Sequence, residues 1–180
     1  MTKYARDGER VEVEIPEGIA GIYSVVVGNE RSYSKHKPDD YESTTYLWKH
    51  GLTQPIMQNS PAEFAEHEWL WNNMIGDVLI GGLGLGMVNH KLIESDVTSV
   101  TIIEKEQDVV DLVWENCPKD NRFTLLIEDV ETWVPTDGLH WDVGWFDTWL
   151  SDNPLSIDAY SQLVYERYSP YIDKIETWKG

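Results

Sequence analysis

Residues 77–104 constrain the fold more than any other stretch of this chain. A short apolar run, Val78-Leu79-Ile80, leads into Gly81-Gly82-Leu83-Gly84-Leu85-Gly86, a helix-like segment follows, and a second run, Val100-Thr101-Ile102-Ile103, closes on Glu104. A parallel strand covered on both faces reads as an unbroken apolar run, and a glycine-rich turn after it lets the backbone approach where side chains would collide. The carboxylate at the end of the second run, roughly 20 residues on, stands where a pair of ribose hydroxyls needs an acceptor. These residues predict a βαβ nucleoside-binding unit. A βαβ unit that binds nothing is the plain alternative, because many such turns use glycine only for packing.

The glycine spacing chooses between ligands. A dinucleotide fingerprint is G-x-G-x-x-G, with its third glycine lying against the helix. Here the glycines fall at 82, 84 and 86, and the position that spacing requires is Met87. G-x-G-x-G resembles the nucleotide loop of class I S-adenosylmethionine-dependent transferases, which favours that cofactor over NAD and makes Gly82, Gly84 and Gly86 the expected cofactor loop. Residues 87–94 read as a helix whose free N–H groups face the ligand and suit a carboxylate such as the methionyl one.

At 180 residues, 41% of them hydrophobic and with nine Trp and nine Tyr, the chain can bury a sizeable core and is not disordered. Its formal net charge of −18 opposes nucleic acid, whose phosphates need Lys and Arg, and suits a cationic or small neutral partner. An acidic, solvated surface accounts for the same charge without any ligand. Cys117 is the only cysteine, so neither a disulfide framework nor a cysteine metal site is expected. No run approaches a membrane span, and the first residues lack the apolar core of a signal peptide, which predicts a cytoplasmic protein with no membrane partner.

Residues 1–59 predict a β-rich extension and residues 60–180 the Rossmann-like cofactor domain. In the extension, Val11, Val13 and Ile15 alternate as in a strand, Ile22 to Val27 form a second, and Gly28-Asn29 reads as a hairpin turn. Further strands are expected at 44–48 and 55–58, and His36 reads as a solvated loop residue. Ser60-Pro61-Ala62-Glu63 is a helix start, with Ser60 as cap and Glu63 completing a capping box, and the helix should run to about Ile75 with Phe64, Trp71, Met74 and Ile75 buried. Glu63 and His67 lie one turn apart, but without H-E-x-x-H they read as an exposed neighbour pair, and no metal is expected.

Asp108 to Trp114 predicts a helix, Phe123 to Ile127 a third parallel strand, Trp141 to Phe146 a fourth, Ile157 to Tyr168 a helix and Ile175 to Trp178 a last strand in an abbreviated sheet. Three successive strands thus end on carboxylates, at Glu104, Glu128-Asp129 and Asp147. In an open parallel sheet the ligand lies beyond those ends. Glu104 would accept from the ribose, Asp129 from the adenine amino group, and Asp147 would lie nearest the reacting centre. For Asp129 and Asp147, capping of a following helix is the competing role.

From Gln58 to about residue 150 the motifs resemble the spermidine synthase family of aminopropyltransferases, a branch of the class I methyltransferase fold. That family carries a Gln before a D-E-F-x-Y-x-E helix, an apolar strand into I-G-G-G-D-G-G, an acidic ribose binder, a G-D-G turn and D-S-S-D-P at the catalytic strand end. This chain offers Gln58, then Ala62-Glu63-Phe64-Ala65-Glu66-His67-Glu68, Ile80 to Gly86, Glu104, Glu128-Asp129-Val130, and Asp147-Thr148-Trp149-Leu150-Ser151. The resemblance implies cofactor contacts from Gln58, Gly82, Gly84, Gly86, Glu104, Asp129 and Val130, acceptor contacts from Glu66 and Trp149, and Asp147 as the catalytic base. The departures cluster in the amine half. Ala62 replaces the helix Asp, Glu66 the pocket Tyr, Gly84 the loop Asp, and Leu150 the second catalytic carboxylate. The expectation is therefore a transferase that methylates a small molecule, a cationic amine included. An aminopropyltransferase using decarboxylated S-adenosylmethionine and a non-catalytic nucleoside-binding module remain alternatives. The acceptor is not legible, and a homo-oligomer stays open.

Overall fold

The computed structural model describes residues 10–31 and 41–178. His36, expected as a solvated loop residue, lies outside them. The described residues form two sheets. The first is antiparallel, in the order β1-β2-β3-β4, from β1 (Gly18–Ala20), β2 (Tyr23–Arg31), β3 (Tyr41–Lys49) and β4 (Met57–Gln58). The second is parallel throughout, in the order β7-β6-β5-β8-β9, from β5 (Asp77–Gly81), β6 (Ser99–Glu104), β7 (Phe123–Ile127), β8 (Trp141–Phe146) and β9 (Ile172–Thr177). From β5 the chain steps outward through β6 and β7, then returns to β8 on the other side of β5. The carboxyl ends of β5 and β8 thus flank the topological switch point, where open α/β sheets hold their ligands.

The helices are short: α1 (Pro61–Glu66), α2 (Glu68–Asn73), α3 (Met87–Ile93), α4 (Gln107–Val113) and α5 (Ile157–Tyr168). Along β5, Val78 and Ile80 join one hydrophobic cluster and Leu79 the other, as a strand with two covered faces requires. The first cluster contains α3 and α4 residues together with Val11, Val13, Ile15, Tyr23, Val25 and Leu47 from the extension, so both sheets share one core. Residues 59 and 60, where the extension was expected to give way, lie between β4 and α1. The opposite face is covered by α5 through Tyr160, Val164 and Tyr168. Between β7 and β8 the chain crosses without a helix.

Several local expectations are corrected. Val11, Val13 and Ile15 are buried in alternation but form no strand, because the segment pairs with no sheet edge. Gly28 and Asn29 lie inside β2, opposite Thr44 and Ser43, and the tight turn is at Gly21-Ile22. The helix from Pro61 breaks at His67, where φ −90° and ψ 9° leave the helical region, and resumes only to Asn73. Ile75 is 61% exposed, and Leu70 takes the buried position instead. Ser60 does cap, accepting from the Glu63 amide at 3.2 Å, but the Glu63 carboxyl takes its backbone hydrogen bond from Gln58 rather than closing the box. Among the described residues no helix is long and apolar enough to cross a membrane.

Candidate functional site

A cavity of about 240 Å³ opens at the switch point. Its floor is the glycine loop with the ends of β6 and β8, its far wall the segment 128–131 after β7, and its roof Tyr23, Leu47, Lys49, Ile56 and Met57 from the extension. Lys49 Nζ lies 2.6 Å from Asp152 Oδ2 and ties the roof to the loop after β8.

Glu104 stands at the end of β6 with its carboxylate turned back onto the glycine loop. Oε2 accepts from the Leu83 amide at 3.0 Å and Oε1 from the Glu106 amide at 2.9 Å. Burial pushes this carboxyl up, while the backbone amides of Glu106, Leu83 and Lys105 hold it down. Three amides on about four lone-pair sites leave the carboxylate room for one further donor. Tyr23, raised mainly by burial and then by Glu106, lies in the roof beside Glu106.

Gly82 and Gly84 line the cavity. At Gly84 φ is +52°, and a Cβ there would meet the thioether of Met57, whose sulfur accepts from the Leu85 amide at 3.0 Å. The roof thus rests directly on the loop. Gly86 is not a lining residue; with φ +67° it packs against Cys117, so its lack of a side chain serves the joint between the loop and the end of α4. The first turn of α3 bears on a second, smaller cavity through Met87 and Val88, and not on the main one.

Asp129 lines the wall, accepting from the Glu131 amide at 2.8 Å and lying 3.6 Å from Lys105 Nζ. No helix follows it, so the helix-capping role does not arise. Val130, 3% exposed, supplies an apolar surface beside it. Asp147 follows β8 and lines both cavities. It caps no helix either: Oδ2 lies 3.5 Å from His67 Nε2. Trp149 also lines the cavity, its indole N–H donating to the Leu155 carbonyl at 2.9 Å and its ring stacked on Trp178.

Besides Gly86, two expected contacts are not brought to the cavity. Gln58 sits in β4 outside the lining, one residue past Met57, and Glu66 is exposed, accepting from the Trp178 indole at 2.7 Å. Conversely, His67 was read as an exposed neighbour of Glu63 and is 1% exposed, held between Glu63 and Asp147. A buried histidine at a helix break leaves no periodic signal. Met57, Lys49 and Tyr23 were equally silent, because their role depends on how the extension folds back over the parallel sheet. Among the described residues no cluster of three or more His, Cys, Asp or Glu side chains is arranged to hold a metal ion.

Seven carboxylates line the main cavity, from Glu104, Glu106, Glu128, Asp129, Glu131, Asp147 and Asp152, against two described cations, Lys49 and Lys105, both ion-paired. Such a lining attracts cations and repels anions.

No protein-family model and no curated protein sequence matches this chain. Solved structures do. A candidate RNA methyltransferase from Pyrococcus horikoshii aligns at a TM-score of 0.50 with 19% identity, over 66% of this chain and 57% of that one. A candidate methyltransferase from Escherichia coli aligns at 0.45 with 14% identity, over 59% of this chain and 60% of that one. The plantazolicin methyltransferase BpumL, solved with S-adenosylhomocysteine (SAH), aligns at 0.41 with 16% identity, over 61% of this chain and 40% of that one. The chain thus spans less than two thirds of each. With the parallel order β7-β6-β5-β8-β9, the first of these alignments shows a Rossmann-like α/β fold.

Proposed function

We propose that this chain binds S-adenosylmethionine in the main cavity and transfers its methyl group to a small cationic acceptor. The observation that carries this reading is the position of Glu104: a carboxylate at the end of β6, hydrogen-bonded to the glycine loop and facing a cavity at the switch point. The residues present fit the nucleoside half of the cofactor. Glu104 has a lone-pair site left for a ribose hydroxyl, Asp129 accepts an exocyclic amino group, and Val109, Val130 and Ile103 offer apolar surface to a purine. When bound, the cofactor supplies an electrophilic carbon on a sulfonium centre. The chain's own contribution is positioning and a base. Asp147, at the cavity wall, accepts the proton that a protonated amine must lose to expose its lone pair. The roof excludes water, and the acidic lining concentrates a cation.

The net charge of −18 and the acidic cavity argue against a nucleic-acid acceptor, whatever the Pyrococcus structure acts on. The same lining gives a second reading some footing. Neither lining lysine is free of a carboxylate partner to hold a methionyl carboxylate, which favours the decarboxylated cofactor and aminopropyl transfer, as the spermidine synthase resemblance implies. The test is incubation with each cofactor form and a panel of putrescine, spermidine and small amines, with products identified by mass. A methylated amine supports the primary reading. An aminopropylated one replaces it with the second, and no product with any amine contradicts both.

A further inference from the structure

His67 lies at the break between α1 and α2, enclosed by Trp71, whose ring centroid is 5.4 Å away, and by Trp145 at 5.5 Å. Two contacts fix its ring. Nδ1 is 2.9 Å from the Glu63 carbonyl oxygen, and a carbonyl only accepts, so Nδ1 carries hydrogen. Nε2 faces Asp147 Oδ2 at 3.5 Å. With Nδ1–H committed, a neutral ring would turn a bare lone pair toward an ionised carboxylate, and two acceptors repel. The contact is attractive only when a proton belongs to the two groups together.

We propose that His67 and Asp147 hold one proton between them, and that His67 is thereby the positioning residue that fixes the Asp147 carboxylate at the cavity wall. The division of exposure supports this: the Asp147 side chain is 18% exposed and meets the main cavity, whereas His67 at 1% meets only the small cavity beneath the glycine loop. His67 therefore acts through Asp147 and not on a ligand. Glu66 and Glu63 approach from α1, and among the described residues the charges acting on Asp147 are those of His67 and Glu66. Burial, then the Asp147 carboxylate, then that of Glu66 push Glu63 itself up to about 8. The catalytic consequence rests on the transferase reading. Asp147 takes a second proton from the ammonium group of the acceptor: the N–H bond breaks with its electron pair staying on nitrogen, an O–H bond forms, and the pair then carries two protons.

The test uses the protein without cofactor, so its outcome is independent of whether S-adenosylmethionine binds. The pair is neutral overall when it holds one proton, and Asp147→Asn beside a neutral His67 is neutral too. In a Glu63→Gln background, which removes the acid whose ionisation responds to Asp147, capillary electrophoresis at pH 7 should therefore give Asp147→Asn the charge of its parent, while Glu68→Gln, an exposed acid in α2, becomes one unit less negative. Asp147→Asn moving by the same unit as Glu68→Gln overturns the proposal. Should Asp147→Asn fail to fold, the ring nitrogens of His67 in ¹⁵N-labelled wild-type protein decide. Nε2 displaced from the free-lone-pair range at pH 7 supports the shared proton, and Nε2 within that range refutes it.

Discussion

Glu63→Gln should flatten the pH dependence of stability. Burial, then the Asp147 carboxylate, then that of Glu66 push the Glu63 carboxyl up to about 8, against the backbone hydrogen bond from Gln58 that holds it down; its ordinary value is 4.5. Between those values the folded state keeps a proton that the unfolded chain has released. Stability from this group is therefore present below about pH 4.5 and is lost as pH rises through about 8. At about 1.4 kcal/mol per unit of displacement, the loss across the window is roughly 3 to 5 kcal/mol. Gln keeps an oxygen to accept from Gln58 and never ionises; a new amide donor adds only a constant offset. Urea unfolding followed by tryptophan fluorescence at pH 5, 7 and 9 should show the difference between Glu63→Gln and wild type growing by that amount in favour of the variant. Two stability curves that stay parallel from pH 5 to pH 9 would refute the argument.

Two further outcomes follow from the loop and its neighbours. Gly84→Val forces a β-branched residue to φ +52° and displaces Met57, so it should destabilise the fold by about 1 to 3 kcal/mol and abolish nucleoside binding; a thermal melt with a ligand titration reads both. Burial pushes the Cys117 thiol up to about 12, so the native protein should resist iodoacetamide at pH 8 and be labelled at once in urea, as mass spectrometry would show.

The parallel half of the fold was legible because continuous apolar runs, glycine punctuation and helical spacing are local signals. Residues 123–127, 141–146 and 157–168 fall where the sequence places them. Carboxylates at three strand ends likewise marked the floor and wall of the cavity. The extension was harder to read. Val11, Val13 and Ile15 carry a strand's alternation, but whether such a segment joins a sheet depends on an available edge, and here it lies against the core without one. Gly28 looked like a turn because glycine in a strand is uncommon; the Tyr46 ring, which a Cβ at Gly28 would meet at 3.1 Å, gives the packing reason. The His67–Asp147 contact joins residues 80 positions apart, and nothing in either local sequence announces it.

The central claim is that Glu104 receives the ribose of a nucleoside cofactor, and calorimetric titration of S-adenosylmethionine and its decarboxylated form into wild type and Glu104→Ala tests it most directly. A charge-assisted hydrogen bond contributes about 1.5 to 3 kcal/mol, so losing this acceptor should weaken binding by at least tenfold, in a variant whose circular dichroism confirms that it is folded. Absence of binding of either form to wild type, or equal affinity in a folded Glu104→Ala, would contradict it.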